Sequence, residues 1–219
     1  MNLDEIRVKI HSPYTRDRLL ALASLKDTPP EEAVPLILQL IDDESLQVRA
    51  MAVFALGLKP TPQSLPTLVK ILETDPDYSI RADAAGALGY LRDPRAFTPL
   101  LRAFYEDTEW LVRFSAAVSL GNLGDDRAIE ALLSALKTDE TLLHQAAIAA
   151  LGEIGNPEAI EAILPFAQSP DWLTRQRLAE ALGNLPSPKS LAALKYLAKD
   201  PHPQVALAAN LSLAKHPKS

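Results

Sequence analysis

Apolar residues recur along this chain at steps of three and four for short stretches, break at acidic or proline-bearing connectors, and then resume. In residues 33–41, 65–72 and 128–136 that step lays one aliphatic stripe along a helix and leaves the other side polar, which predicts amphipathic helices. Between these stretches run alanine-rich segments with a basic residue near the start and Leu-Gly near the end, as in Val48-Arg49-Ala50-Met51-Ala52 through Ala55-Leu56-Gly57. The anchors Arg49, Arg81, Arg113, His144 and Arg175 stand 31 or 32 residues apart, and each is followed eight residues later by Gly57, Gly89, Gly121, Gly152 or Gly183. The register extends 31 residues outward to Arg18 and to Ala206. Self-similarity at this period marks stacked helix pairs, none of which can bury its apolar face alone. The predicted fold is therefore all-α, an α-α superhelix of about seven helix pairs in one curved domain. Residues 1–28 and 186–219 are expected as the terminal cap units, with regular repeats over 29–185.

The connectors and prolines refine that picture. Acid-bearing connectors at 42–44, 75–77, 106–107, 139–140, 169–171 and 200–201 precede the second helices, where they are expected to cap them and place negative charge at their positive ends. Pro35, Pro66 and Pro99 fall early in three first helices, where a ring fits the first turn and kinks the helix beyond it. The glycines eight residues past each anchor are expected at helix ends. Gly86 differs, sitting mid-helix at a cost of about 1 kcal/mol relative to alanine. Close packing of a neighbouring helix is the expected reason, with the approach of a ligand as the other.

Composition narrows the function. The chain has 219 residues, 47% apolar and only 5% aromatic, which suits Ala/Leu-rich helix packing over a β-sandwich. Cysteine is absent, so no disulfide framework or cysteine-based metal site is available. No apolar run reaches the length of a membrane span, and the first residues lack a signal peptide's basic and apolar segments, so a cytoplasmic location is expected. The formal charge is −6 with acids and bases interleaved, which offers a nucleic acid no basic footprint.

The units at 42–57, 75–89, 107–121 and 171–183 together resemble the HEAT repeat, in the short variety found in cyanobacterial phycobilin lyases. Met1-Asn2-Leu3, Arg18-Leu19-Leu20-Ala21-Leu22, Trp110-Leu111-Val112-Arg113 and Asp171-Trp172-Leu173 with Arg175 resemble the phycobilisome-degradation branch of that lyase-like group. The resemblance implies a protein that docks on phycobiliprotein subunits, of phycocyanin or allophycocyanin, alone or with another degradation or lyase subunit. It would promote detachment of their covalently linked open-chain tetrapyrrole. Phycocyanobilin is then a substrate or product, and no cofactor or metal of the protein's own is implied. The alternative is a non-catalytic HEAT scaffold for protein–protein interaction.

Candidate residues follow from the register. The inner surface of such a stack is built from second-helix positions, so residues one, two, five and nine beyond each anchor are expected there. These are Met51, Phe54, Asp83, Gly86 and Tyr90 first, then Phe114, Ser115, Val118 and Asn122, and finally Gln145, Gln176, Arg177, Glu180 and Asn184. The first group is apolar and aromatic and the last is polar, so a ligand or partner is expected on Met51, Phe54, Asp83, Tyr90, Phe114 and Arg177. Phe54 and Phe114 have partial burial between helices as their alternative. Tyr78, Trp110 and Trp172 each stand three residues before an anchor, where an aromatic either covers the gap between units or grips a partner. Arg49, Arg81, Arg113 and Arg175 are expected to form a structural ladder, each reaching an acid of the adjacent repeat, in preference to clamping a ligand carboxylate.

No motif identifies a catalytic residue. Asp83, able to accept from pyrrole N–H groups, and His144, whose imidazole suits proton transfer near neutrality, are the two candidates for chemistry. His11, His202 and His216 show no metal-ligand spacing, and no metal is expected.

Overall fold

A computed structural model describes residues 1–215, and His216 lies outside the described residues. Among them are fourteen α-helices and no strand. In order these are α1 (Leu3–Lys9), α2 (Thr15–Ser24), α3 (Pro30–Ile37), α4 (Leu46–Gly57), α5 (Ser64–Thr74), α6 (Tyr78–Leu91) and α7 (Phe97–Glu106). There follow α8 (Trp110–Leu123), α9 (Ile129–Ala135), α10 (Thr141–Ile154), α11 (Ile160–Ile163), α12 (Trp172–Gly183), α13 (Pro188–Leu197) and α14 (Pro203–Lys215). Odd and even helices alternate as first and second members of seven pairs, the all-α, HEAT-like class that the repeat predicts. Pro66 and Pro99 are the third residues of α5 and α7, where the missing N–H has no helical partner to lose. Pro35 lies deeper in α3, which gives way to a 3-10 turn at Leu38–Leu40 within one turn of it.

Contacts divide the chain into two compact units, Met1–Ala116 and Ala117–Ser219. In the first, α2, α4 and α6 lie in succession, with α3 and α5 packed against them. Leu56, Leu68, Ile80 and Leu88 are fully buried there, each worth about 1.5–3 kcal/mol in removal from water. In the second, α10, α12 and α14 succeed one another with α9 and α13 alongside, around Leu132, Ile148, Leu151, Leu178 and Leu194.

The glycines revise the sequence expectation. Gly57 and Gly183 do end their helices, but Gly121 and Gly152 lie inside α8 and α10. What the four share is a neighbour. A β-carbon on Gly57 would stand 2.7 Å from the Ala87 Cα, on Gly121 and Gly152 2.6 Å from the Ala150 and Ala181 Cα atoms, and on Gly183 2.6 Å from the Ser212 Oγ. These glycines let consecutive second helices approach backbone to backbone. The left-handed helix stops come three residues later, at Gly124 (φ 65°), Gly155 (φ 75°) and, in the same register, the non-glycine Arg92 (φ 50°). Gly86 overturns the packing explanation outright, since a β-carbon there would meet nothing within 4 Å.

The ladder exists with substitutions. Arg81 donates to both Asp107 oxygens at 2.9 and 3.1 Å, and Arg175 to both Asp200 oxygens at 2.7 and 3.0 Å. Arg18 pairs with Asp43 at 2.7 Å. Each also donates to a carbonyl six residues back, of Asp75, Ser169 and Ser12. Arg49 departs from the expectation, donating to the carbonyls of Asp43 and Glu44 and reaching Asp77 of the next repeat only through its charge, with no direct carboxylate pair among the described residues. In the fifth repeat the two roles are split between neighbours. The His144 Nε2 donates to the Thr138 carbonyl at 2.6 Å, while the Gln145 Nε2 donates to Asp171 at 2.8 Å. Gln145, expected on the inner surface, is instead buried in the ladder. The acidic connectors are likewise divided. Asp77 and Asp171 cap α6 and α12, whereas Asp43, Asp107 and Asp200 shape their turns by accepting from the N–H two residues on and receive the arginines.

Candidate functional site

Within Met1–Ala116, Met51 and Phe54 on α4 line an open cavity of about 450 Å³ together with Leu22, Leu25, Ile37 and Leu58. Lys59 borders it, buried, with its Nζ donating to the Lys26 and Thr28 carbonyls at 2.6 Å each, so the lysine ties the wall to the preceding repeat. Nothing in its sequence neighbourhood announces that role. Phe54 is 49% exposed, not tucked between helices, and its ring meets Tyr90 edge to face with centroids 5.9 Å apart. Asp83, Gly86 and Tyr90 share one face of α6, being three and then four residues apart. Asp83 is exposed and has no hydrogen-bond or ion-pair partner among the described residues. Its carboxyl is held above the usual carboxylate range, first by the crowding of protein around it and second by the charge of Asp77. Phe114, on α8, is half-buried.

Within Ala117–Ser219 the expected residues are already engaged. Arg177 donates to Glu180 at 2.8 Å and Gln176 to the other oxygen of Glu180 at 2.9 Å. His144, half-buried on its carbonyl, stands 5.0 Å from the ring of Phe166. Trp172 is 40% exposed and lies flat on His202, with centroids 4.1 Å apart and planes inclined by 14°.

One further set is exposed at a single register position. Tyr78 and Trp110 open α6 and α8 at 48% and 50% exposure, and Leu46 opens α4 at 43%. In the first repeat the corresponding position is Thr15, and the exposed aromatic stands one residue earlier, at Tyr14, which is 71% exposed and precedes α2.

The family model for HEAT repeats matches residues 6–89, 65–143 and 140–214. The chain belongs to the HEAT-repeat family. Among solved structures, this HEAT protein is similar to the CpcE–CpcF complex of phycocyanin lyase from Nostoc, at 20% identity over 98% of this chain and 95% of that one, with a TM-score of 0.63. It is also similar to the Escherichia coli protein YIBA, at 16% identity over 98% and 93% of the two chains and a TM-score of 0.61. Kap95p, which binds RanGDP, matches at 16% identity over 97% of this chain and 35% of its own, with a TM-score of 0.63. At such identities these likenesses establish the fold. Comparison with curated protein sequences finds no match.

Chemically, the HEAT surface of the first unit offers an apolar recess, the Phe54–Tyr90 aromatic pair and, on α6, the unpartnered acceptor Asp83. That set suits a flat, conjugated molecule with N–H donors on its edge. Among the described residues no helix is long and apolar enough to cross a membrane.

Proposed function

We propose that this HEAT protein binds phycobiliproteins and promotes detachment of their covalently linked open-chain tetrapyrrole, in the manner of the phycobilisome-degradation branch of the lyase-like group. The observation that carries it is the apolar recess lined by Met51 and Phe54, with the Phe54 ring against Tyr90 of α6, the helix that also bears the unpartnered Asp83. Similarity of fold to the phycocyanin lyase complex supports the same reading. Release is an elimination: the carbon–sulfur bond breaks, cysteine leaves as thiolate, and a proton is lost from the carbon next to the one that bore sulfur. A carboxylate of raised proton affinity such as Asp83 is suited to take that proton. Phycocyanobilin is then the product, phycocyanin or allophycocyanin subunits the partners, with another degradation or lyase subunit alongside, and the cytoplasm the place of action.

The test is incubation with holo-phycocyanin. Loss or shift of the long-wavelength absorption with free bilin in the filtrate is expected. Binding with unchanged spectra and no released bilin refutes detachment and leaves the second reading, a non-catalytic scaffold. That reading is favoured by the exposed set Leu46, Tyr78 and Trp110 at the starts of α4, α6 and α8. On it, Tyr78→Ala with Trp110→Ala abolishes docking while the melting temperature holds.

A further inference from the structure

Mid-helix glycine needs a reason, and the three structural ones fail at Gly86. Its φ is not positive, it lies five residues before the end of α6, and no neighbouring atom comes within 4 Å of a β-carbon placed on it. The repeat does not demand glycine there either, since the corresponding positions hold Phe54, Val118, Ala149 and Glu180. The packing glycines stand in a different register, eight residues past the anchor, and each faces the next helix. At Gly86 the helix therefore forgoes stability to leave bare backbone facing open space. On one side of that bare turn is Asp83, without a partner, and on the other Tyr90, whose ring meets Phe54.

We infer that Gly86 is a ligand-contact position, kept free of a side chain so that the flat face of a conjugated tetrapyrrole lies directly on the α6 backbone, with its N–H edge toward Asp83 and its rim against Phe54 and Tyr90. The inference rests on the pigment-binding reading above and assigns that site its floor. A ring in van der Waals contact sits about 3.5–4.0 Å from the atoms beneath it. A methyl group on Gly86 lifts it by about 1.5 Å, one carbon–carbon bond length. A donor held at about 2.9 Å from Asp83 then moves out of hydrogen-bond range. An open neighbourhood, a bare backbone and an unpartnered acceptor all act on the same ligand face.

The experiment separates stability from binding. Wild type, Gly86→Ala and Gly86→Leu are titrated with biliverdin, a soluble open-chain tetrapyrrole, following absorption and induced circular dichroism, and each is melted. Alanine is expected to raise the melting temperature by about 2–4 °C, because it is the better helix former and meets no clash. It should weaken biliverdin binding by about ten-fold, and leucine should weaken it further. A Gly86→Ala protein that melts higher and binds unchanged overturns the role of Gly86 and leaves pigment binding standing. A lower melting temperature makes the glycine architectural and also overturns the inference. A wild type that neither binds biliverdin nor alters holo-phycocyanin removes both.

Discussion

Asp83 and Arg177 occupy the same place in their repeats, two residues past the anchor, yet they end in opposite states. Arg177 finds Glu180 three residues on and is neutralised within its own helix, with Gln176 joining from beside it. Asp83 finds Gly86 three residues on, and there is nothing to pair with. Met51 and Phe54 leave a cavity open in the first unit, while in the second the comparable polar positions satisfy one another. A repeat register fixes where a side chain stands. Whether it remains available to a partner is decided by the residue one turn away.

That contrast requires the scaffold beneath both regions to be equivalent, and the largest effect tests this. Arg81→Ala and Arg175→Ala each leave a mostly buried aspartate unpaired, and each should lose about 2–3 kcal/mol in urea unfolding. A cost in one unit only breaks the comparison. Burial alone would raise the Asp107 carboxyl, but the bonds and charge of Arg81 outweigh it, and Arg175 likewise holds Asp200 below the usual range. Carboxyls depressed on folding add stability that is complete above about pH 4 and is lost as pH falls through their lower folded values. The melting temperature should therefore drop steeply below about pH 4, and less steeply in the arginine variants.

Gly57→Ala and Gly152→Ala force a methyl group against the Ala87 and Ala181 backbones and should cost about 2 kcal/mol each by chemical denaturation. Arg92→Gly relieves the left-handed conformation that Gly124 and Gly155 adopt without strain, and should gain about 1 kcal/mol. The smallest effects bear on the contrast itself. Asp83→Asn should add no more than a few tenths of a kcal/mol at neutral pH, because its folded carboxyl resists ionising but solvent screens an exposed charge. The sign follows from the raised value: the charged form is disfavoured in the fold, so the gain disappears as pH falls through the elevated pKa. Glu180→Gln should lose up to about 0.5 kcal/mol, the worth of an exposed pair. A loss on Asp83→Asn would mean the carboxylate has a partner in solution.

Much of this was legible in the chain because a repeat states the same constraint several times. The helix pairs and the anchors follow from one period, and Phe54 and Tyr90, read from fixed offsets within it, are exposed. The sequence was silent where a role passes between neighbours. His144 and Gln145 share the two roles that Arg81 fills alone, a bond to a carbonyl six residues back and bonds to the next repeat's aspartate, and no spacing reports that division. Glycine was misread for a related reason: its letter is the same whether it faces an alanine backbone, as Gly57 does, or open space, as Gly86 does. Lys59 was invisible because its bonds go to main-chain carbonyls, which every residue carries.

The flat contact of Trp172 with His202 also gives the protein an optical gauge. Indole emission responds to the ring stacked against it, and Trp110 is the second indole of the chain. With Trp110 replaced by phenylalanine, the fluorescence of the remaining indole becomes a label-free readout of loosening at the start of α14, legible while anything is being titrated onto the other unit.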